Sequence, residues 1–284
     1  MTAERSWEWP LVIFTIGLEV GCGITITTAA LDALGSGGTG SVRALGLSIL
    51  PVTLAAVFAS AFHLGRPLGC WRAFINLRQS RLSTEVALTA LFGALAFVYT
   101  LMWFGGASET RVALGIVTAV AAVLAVVFSS RIYTIPTQPL WNSGWVPSSF
   151  LGTTLLLGGL IAIQFIRETG PPLVLLIARG ATAGGAVLLS VSALWMHRRL
   201  SHIARDRHVN PGDGPLLAAT EWVLFLGFVL LAGFLPIAFI STLWAGMGPR
   251  SAVPLFLVVL VLGLVGVTLG RMLMYSLGRR LSRF

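Results

Sequence analysis

Lysine is absent from this sequence, and acidic residues are nearly as scarce: 10 Asp and Glu among 284 residues, against 19 basic residues that are all arginine. Charged residues make up 10% of the total, where a water-soluble domain carries about 25%. So little charge cannot cover a surface that faces water. Only two cysteines are present, Cys22 and Cys70, with no CxxC or metal-ligand spacing; this argues against a disulfide framework and against a metal site on this chain. Short alternating apolar and polar segments are missing as well, which excludes a transmembrane β-barrel. The opening residues, MTAERSWEWP, run into a long apolar stretch with no small-residue cleavage pattern, so they are not read as a removable signal.

What is abundant is apolar sequence. Hydrophobic residues make up 56% of the total and the mean hydropathy is +0.89. Eight stretches reach the ~20 residues needed to cross the hydrocarbon core, at about 10–34, 42–63, 83–105, 110–130, 149–167, 172–197, 218–245 and 251–276. The expected fold is an all-α integral membrane protein, one polytopic domain over 1–284, with spans running up and down. Two four-helix halves are a further possibility: SAFHLGR at 60–66 ends the second span and SALWMHRR at 192–199 ends the sixth.

Even-numbered connections place the three longer loops, 64–82, 131–148 and 198–217, on the side of both termini. That side carries Arg5, Arg66, Arg72, Arg78, Arg81, Arg131, Arg198, Arg199, Arg205, Arg207, Arg279, Arg280 and Arg283. The other side carries Arg43, Arg111, Arg167 and Arg250. The positive-inside rule then puts both termini and the long loops in the cytoplasm, in a cytoplasmic (inner) membrane protein. The competing reading is that some of these arginines dock an acidic partner. The net charge of +9 fits codon bias in a GC-rich genome, so for partners the position of the arginines says more than their total; membrane lipids are expected as partners and nucleic acid is not.

Ionisable residues inside spans are costly and each one asks for a reason. Glu19 lies near mid-membrane, either as a hydrogen-bonded carboxyl inside the bundle or on a proton or ligand path. Asp32 closes the first span as an interfacial residue. Glu85 and Glu221 open the third and seventh spans, where a carboxylate suits the helix dipole. Arg271 enters late in the eighth span, and His63, Glu85, Glu221 and Arg271 are expected at one membrane level. His63 and His197 are the only imidazoles that could attempt a haem pair. Both sit at span ends, and no haem is expected.

The segment HLGRPLGCWRAFINLRQSRLSTE, residues 63–85, concentrates this polar chemistry. Leu68, Trp71, Phe74 and Ile75 recur at helical spacing, as in a short interfacial helix. His63 changes charge near neutral pH, and a half-buried Glu85 can take up a proton. A quinol needs such groups, because its two hydroxyls lose two protons as two electrons leave. RIYTIPTQPLWNSGWVP, residues 131–147, is rigid and aromatic and suits either a docking surface or an interfacial belt.

WEWPLVIFT at 7–15, HLGRP at 63–67, RAFINLRQSRLSTE at 72–85, RIYTIPTQPLWNS at 131–143 and GRMLMY at 270–275 are spread in order over most of the sequence. In these stretches it resembles the membrane anchor subunits of dimethyl sulfoxide reductase-type respiratory complexes, and more distantly the polysulfide reductase anchors. The resemblance implies a haem-free subunit that oxidises menaquinol, does no chemistry on the final substrate, and passes electrons to a four-cluster [4Fe–4S] ferredoxin-like partner. It implies also a molybdopterin catalytic subunit, with clusters and molybdopterin confined to the partners. Its quinol residues fall on His63 and Glu85, with Gly65, Arg72, Asn76, Tyr133 and Arg271 as further quinol contacts. Arg66, Arg78, Arg81, Arg131, Trp141 and Asn142 become candidates for partner docking. Two alternatives stand beside this: the same architecture run as a quinone reductase, and a secondary transporter with Glu19, Gln164 and Glu221 along its path and a helix break at Pro236.

Overall fold

Small residues decide which helices occupy the middle of the bundle. Glycines at 17, 21 and 23 in the first helix and at 152, 158 and 159 in the fifth leave room for backbones to meet, the device that membrane helices use in place of a hydrophobic driving force. A Cβ on Gly23 would fall 2.2 Å from the Thr154 carbonyl oxygen, and one on Gly158 would fall 2.4 Å from the Gly23 carbonyl carbon. No side chain fits at either position.

The computed structural model describes residues 9–61, 79–166, 172–206, 219–244 and 252–281, with Arg72, Phe74 and Leu77. Among these there is no strand. The elements are α1 (Trp9–Ala33), α2 (Gly40–Ala61), α3 (Arg81–Met102), α4 (Glu109–Arg131), α5 (Trp145–Ile166), α6 (Pro172–Asp206), α7 (Ala219–Phe228), a π-helical turn (Val229–Phe234), α8 (Leu235–Trp244) and α9 (Ala252–Leu281). They make eight spans, since α7, the π turn and α8 form one continuous rod. The helix α1 packs on α2, α4 and α5, and α5 packs most extensively on α6. The two central helices, α1 and α5, are the most buried, while the others show a broad apolar face, such as Leu173, Leu176, Val187 and Val191 of α6.

Three boundaries differ from the sequence expectation, for local reasons. The fifth span begins at Trp145 rather than 149, because Pro147 sits in the first turn, where its missing N–H costs nothing. The sixth runs to Asp206 rather than 197. Its last turns are amphipathic, with Leu200 and Ile203 buried while Arg198, His202 and Arg205 are exposed. At 35 residues it is about 52 Å long, some 20 Å more than the hydrocarbon thickness, so its C-terminal end stands out on the side of the termini. The eighth continues to Leu281. Pro236 does not break its span: the preceding π turn, closed by the Leu235 N–H on the Leu230 carbonyl, absorbs the proline as a local widening.

The Gly23–Gly158 contact yields a sharp expectation. Gly158→Leu should lower stability by at least about 3 kcal/mol, the upper part of the overpacking range, because the clash is with backbone. Gly93→Leu, at a site with nothing within 4 Å, should leave the thermal unfolding midpoint in detergent nearly unchanged. Equal midpoints for the two variants would contradict the close α1–α5 packing.

Candidate functional site

The helix α3 begins with a cap: the Ser80 side chain accepts from the Ser83 backbone N–H at 3.3 Å, satisfying one of the free donors of the first turn. Glu85 follows in the second turn and is buried, at 6% exposure. The Ser129 hydroxyl of α4 donates to its Oε1 at 2.8 Å. A carboxyl in this setting has one fixed partner and one oxygen left to exchange protons or hydrogen bonds. Arg81, one turn earlier and exposed, donates to the carbonyls of Arg131 and Thr134. It thereby caps the C-terminal end of α4 with a cation, the favourable sign for that pole.

Between the start of α3 and the end of α4 opens a cavity of about 500 Å³ whose lining includes Arg81, Thr84, Phe128, Arg131, Thr134 and Asn142. Its volume falls in the usual range for a small-molecule site. Thr84 and Phe128, which line it, are the chain neighbours of Glu85 in α3 and of Ser129 in α4. The rim carries two cations on the side of the long basic loops.

Beneath the 131–144 segment lies an aromatic cluster. Tyr133 is buried, and its hydroxyl meets that of Tyr275 at 2.8 Å. Its ring lies 5.7 Å from both Trp141 and Phe150. Burial first, and then the Tyr275 hydroxyl, push the Tyr133 phenol well above its ordinary range, so it stays protonated and can donate. Trp141 donates its indole N–H to the Met274 carbonyl at 3.0 Å and edges onto Tyr275. It therefore anchors the loop to α9 instead of projecting from the surface.

Arg271 lies one turn deeper than Tyr275. It donates to Glu19 of α1 with both side chains buried, and its guanidinium sits 3.4 Å from the centre of the Phe150 ring. The sequence alone assigns Arg271 no partner; its partner is Glu19. Asp32, at the end of α1, is not left to solvent. It is buried and bidentate to Arg111, at 2.6 and 2.9 Å, and the Arg111 guanidinium lies 4.0 Å over the Trp103 ring.

The structure thus brings together Glu85, Tyr133, Arg81 and Arg131 around one face of the bundle. Arg72 and Asn142 are exposed on the protein. His63, Gly65, Arg66, Asn76 and Arg78 lie outside the described residues. Glu221 is buried at the start of α7, and His197 packs its ring on Trp222 and Phe225 at 6.0 and 5.8 Å. Sequence reasoning passed over Ser129 and Tyr275. The signal for Tyr275 was its spacing of four from Arg271, which puts both on one helix face; for Ser129 it was a pair of serines closing an otherwise apolar span.

The sequence matches known proteins along nearly its whole length. Residues 3–277 match the family model described as DMSO reductase anchor subunit (DmsC). A protein of the anaerobic dimethyl sulfoxide reductase of Escherichia coli (strain K12) is 28% identical over 95% of this chain and 94% of its own length. Its namesake from Haemophilus influenzae is 31% identical over 54% of this chain, and that alignment spans 56% of the Haemophilus protein. A sulfite dehydrogenase subunit of Allochromatium vinosum is 29% identical over 56% of this chain and 51% of its own length.

The Glu19–Arg271 pair is open to a stability test. Arg271→Met should cost about 3–5 kcal/mol by leaving the Glu19 carboxylate buried and alone. Combining it with Glu19→Leu should recover part of that loss. Thermal unfolding of the two variants in detergent checks this; additive losses would show that the two side chains are not coupled.

Proposed function

This chain belongs to the DMSO reductase anchor subunit family, and on that footing we propose that it oxidises menaquinol at the Glu85 cavity for a membrane-bound molybdoenzyme complex. The observation that carries the reading is a buried carboxyl, held by Ser129 on one oxygen, in the same helix turns as Arg81 and Thr84, which line a cavity together with Arg131. A lipid-soluble ring enters from the bilayer, and its electrons leave toward a partner on the same face.

The quinol loses two electrons and two protons. His63 takes the proton of one hydroxyl and Glu85 that of the other, both acting as general bases at hydrogen-bond range of the ring oxygens. With Tyr275 donating to it, the Tyr133 hydroxyl keeps its own proton to donate toward the ring's oxygen-bearing edge, and Gly65, Arg72 and Asn76 complete the headgroup contacts. Arg271 holds Tyr275 and its partner Tyr133 from below. The electrons pass to the nearest [4Fe–4S] cluster of a four-cluster ferredoxin-like subunit and on to a molybdopterin catalytic subunit. Exposed Arg81, Arg131 and Asn142, with Arg66, Arg78 and the protruding end of α6, form the docking face for these partners. Trp141 serves that face by fixing the loop.

The thirteen arginines on this side support a cytoplasmic location for the termini and the docking face. A second reading runs the same site as a quinone reductase. It is favoured by the relative named as a sulfite dehydrogenase subunit, since a dehydrogenase delivers electrons instead of consuming them; His63 and Glu85 would then supply protons.

Glu85→Gln keeps the Ser129 contact but cannot take up a proton, and should cut quinol-dependent turnover by about 10²–10⁴-fold. Viologen-dependent activity of the assembled complex should be retained. Full quinol activity in both Glu85→Gln and His63→Ala would refute the site. For sidedness, a cysteine at the exposed position 142 should resist an impermeant maleimide applied to intact cells; labelling from outside would place the docking face in the periplasm.

A further inference from the structure

The family reading and the quinol site make no use of Arg179, yet its position is costly. It lies seven residues into α6 from Pro172, about 10 Å below the interface opposite the termini. Among the described residues it has no hydrogen bond or ion pair, and its Nε is buried without a partner. The helices around it offer no counter-charge: α5, α8, α9 and the π turn contain no Asp or Glu, and neither does α6 before Asp206. Of the carboxylates on α1, Asp32 is held by Arg111 and Glu19 by Arg271. An unpaired guanidinium at this depth must find an anion or reach back to the interface.

The surface beside it is shaped for that. Gly180 and Gly184 are both exposed, and a Cβ on either would meet nothing within 4 Å. Two glycines at this spacing leave a shallow notch along the outer face of α6, bordered by exposed Leu176 and Val187. Side chains on a helix lean toward its N-terminus, so Arg179 points back toward the headgroup layer while its stem stays in the hydrocarbon.

We propose that Arg179 and the Gly180–Gly184 notch form a phospholipid site on the face opposite the quinol cavity. The guanidinium binds the headgroup phosphate and one acyl tail lies in the notch. Charge complementarity selects this occupant. The phosphate supplies the anion that the surrounding helices lack, and free phosphate cannot enter the apolar layer where the notch lies. The site is independent of the quinol reading, since it shares no residue with it.

Native mass spectrometry of the detergent-purified complex, titrated with phosphatidylglycerol, tests the proposal. Wild type and Arg179→Lys should retain one lipid per anchor. Arg179→Leu should bind it about tenfold or more weakly, the loss expected for a charge-assisted contact. Gly180→Leu, which fills the notch and leaves the arginine in place, should also lower retention, and it keeps the test valid if Arg179→Leu fails to assemble. Lipid retention equal to wild type in either Arg179→Leu or Gly180→Leu would overturn the site. So would cross-linking from a cysteine at position 184 that captures a protein helix in place of lipid.

Discussion

An ion pair in the middle of an apolar bundle sets the terms for everything around it. Neither Glu19 nor Arg271 can be left alone in hydrocarbon, so α1 and α9 must meet at that height and hold their rotation there. Phe150 of α5 closes over the guanidinium, which ties the third central element to the same point. With the rotation of α9 settled, Tyr275 one turn away faces Tyr133 and the Met274 carbonyl faces Trp141. The irregular 131–144 segment is thus pinned from beneath. The shape of the candidate quinol cavity follows in part from a charge pair that takes no part in the proposed chemistry.

The bundle was largely legible in the sequence because span length and apolar content are local properties. The errors were local too. A proline in a first turn looked like a helix boundary, and an amphipathic extension looked like a loop because its arginines outweighed Leu200 and Ile203. The pairing of charges was not legible. Glu19 and Arg271 are 252 residues apart, and Asp32 and Arg111 are 79 apart. A sequence shows that each such residue is expensive, but not which other one relieves it. Glu85 stood out for the opposite reason: an ionisable residue at the opening of an apolar span is visible within a few consecutive residues.

The two sides of the molecule use their charges differently. On the face opposite the termini, Arg111 is engaged internally, bound to Asp32 and stacked on Trp103. On the face of the termini, Arg131, Arg198 and Arg205 remain exposed, and Arg81 caps α4 from a position that still borders the cavity. Buried pairs of this kind add little net stability but penalise every alternative register of the helices. Exposed cations give long-range attraction to an acidic partner and to headgroups.

Where the quinol ring sits is measured most directly by photolabelling the purified complex with an azido-quinone and mapping the labelled peptides. Label is expected on residues 79–85 and 128–134, displaced by an excess of unlabelled menaquinone analogue. Displaceable label confined to α6, α7 or α8, with those two segments clear, would contradict a site at Glu85.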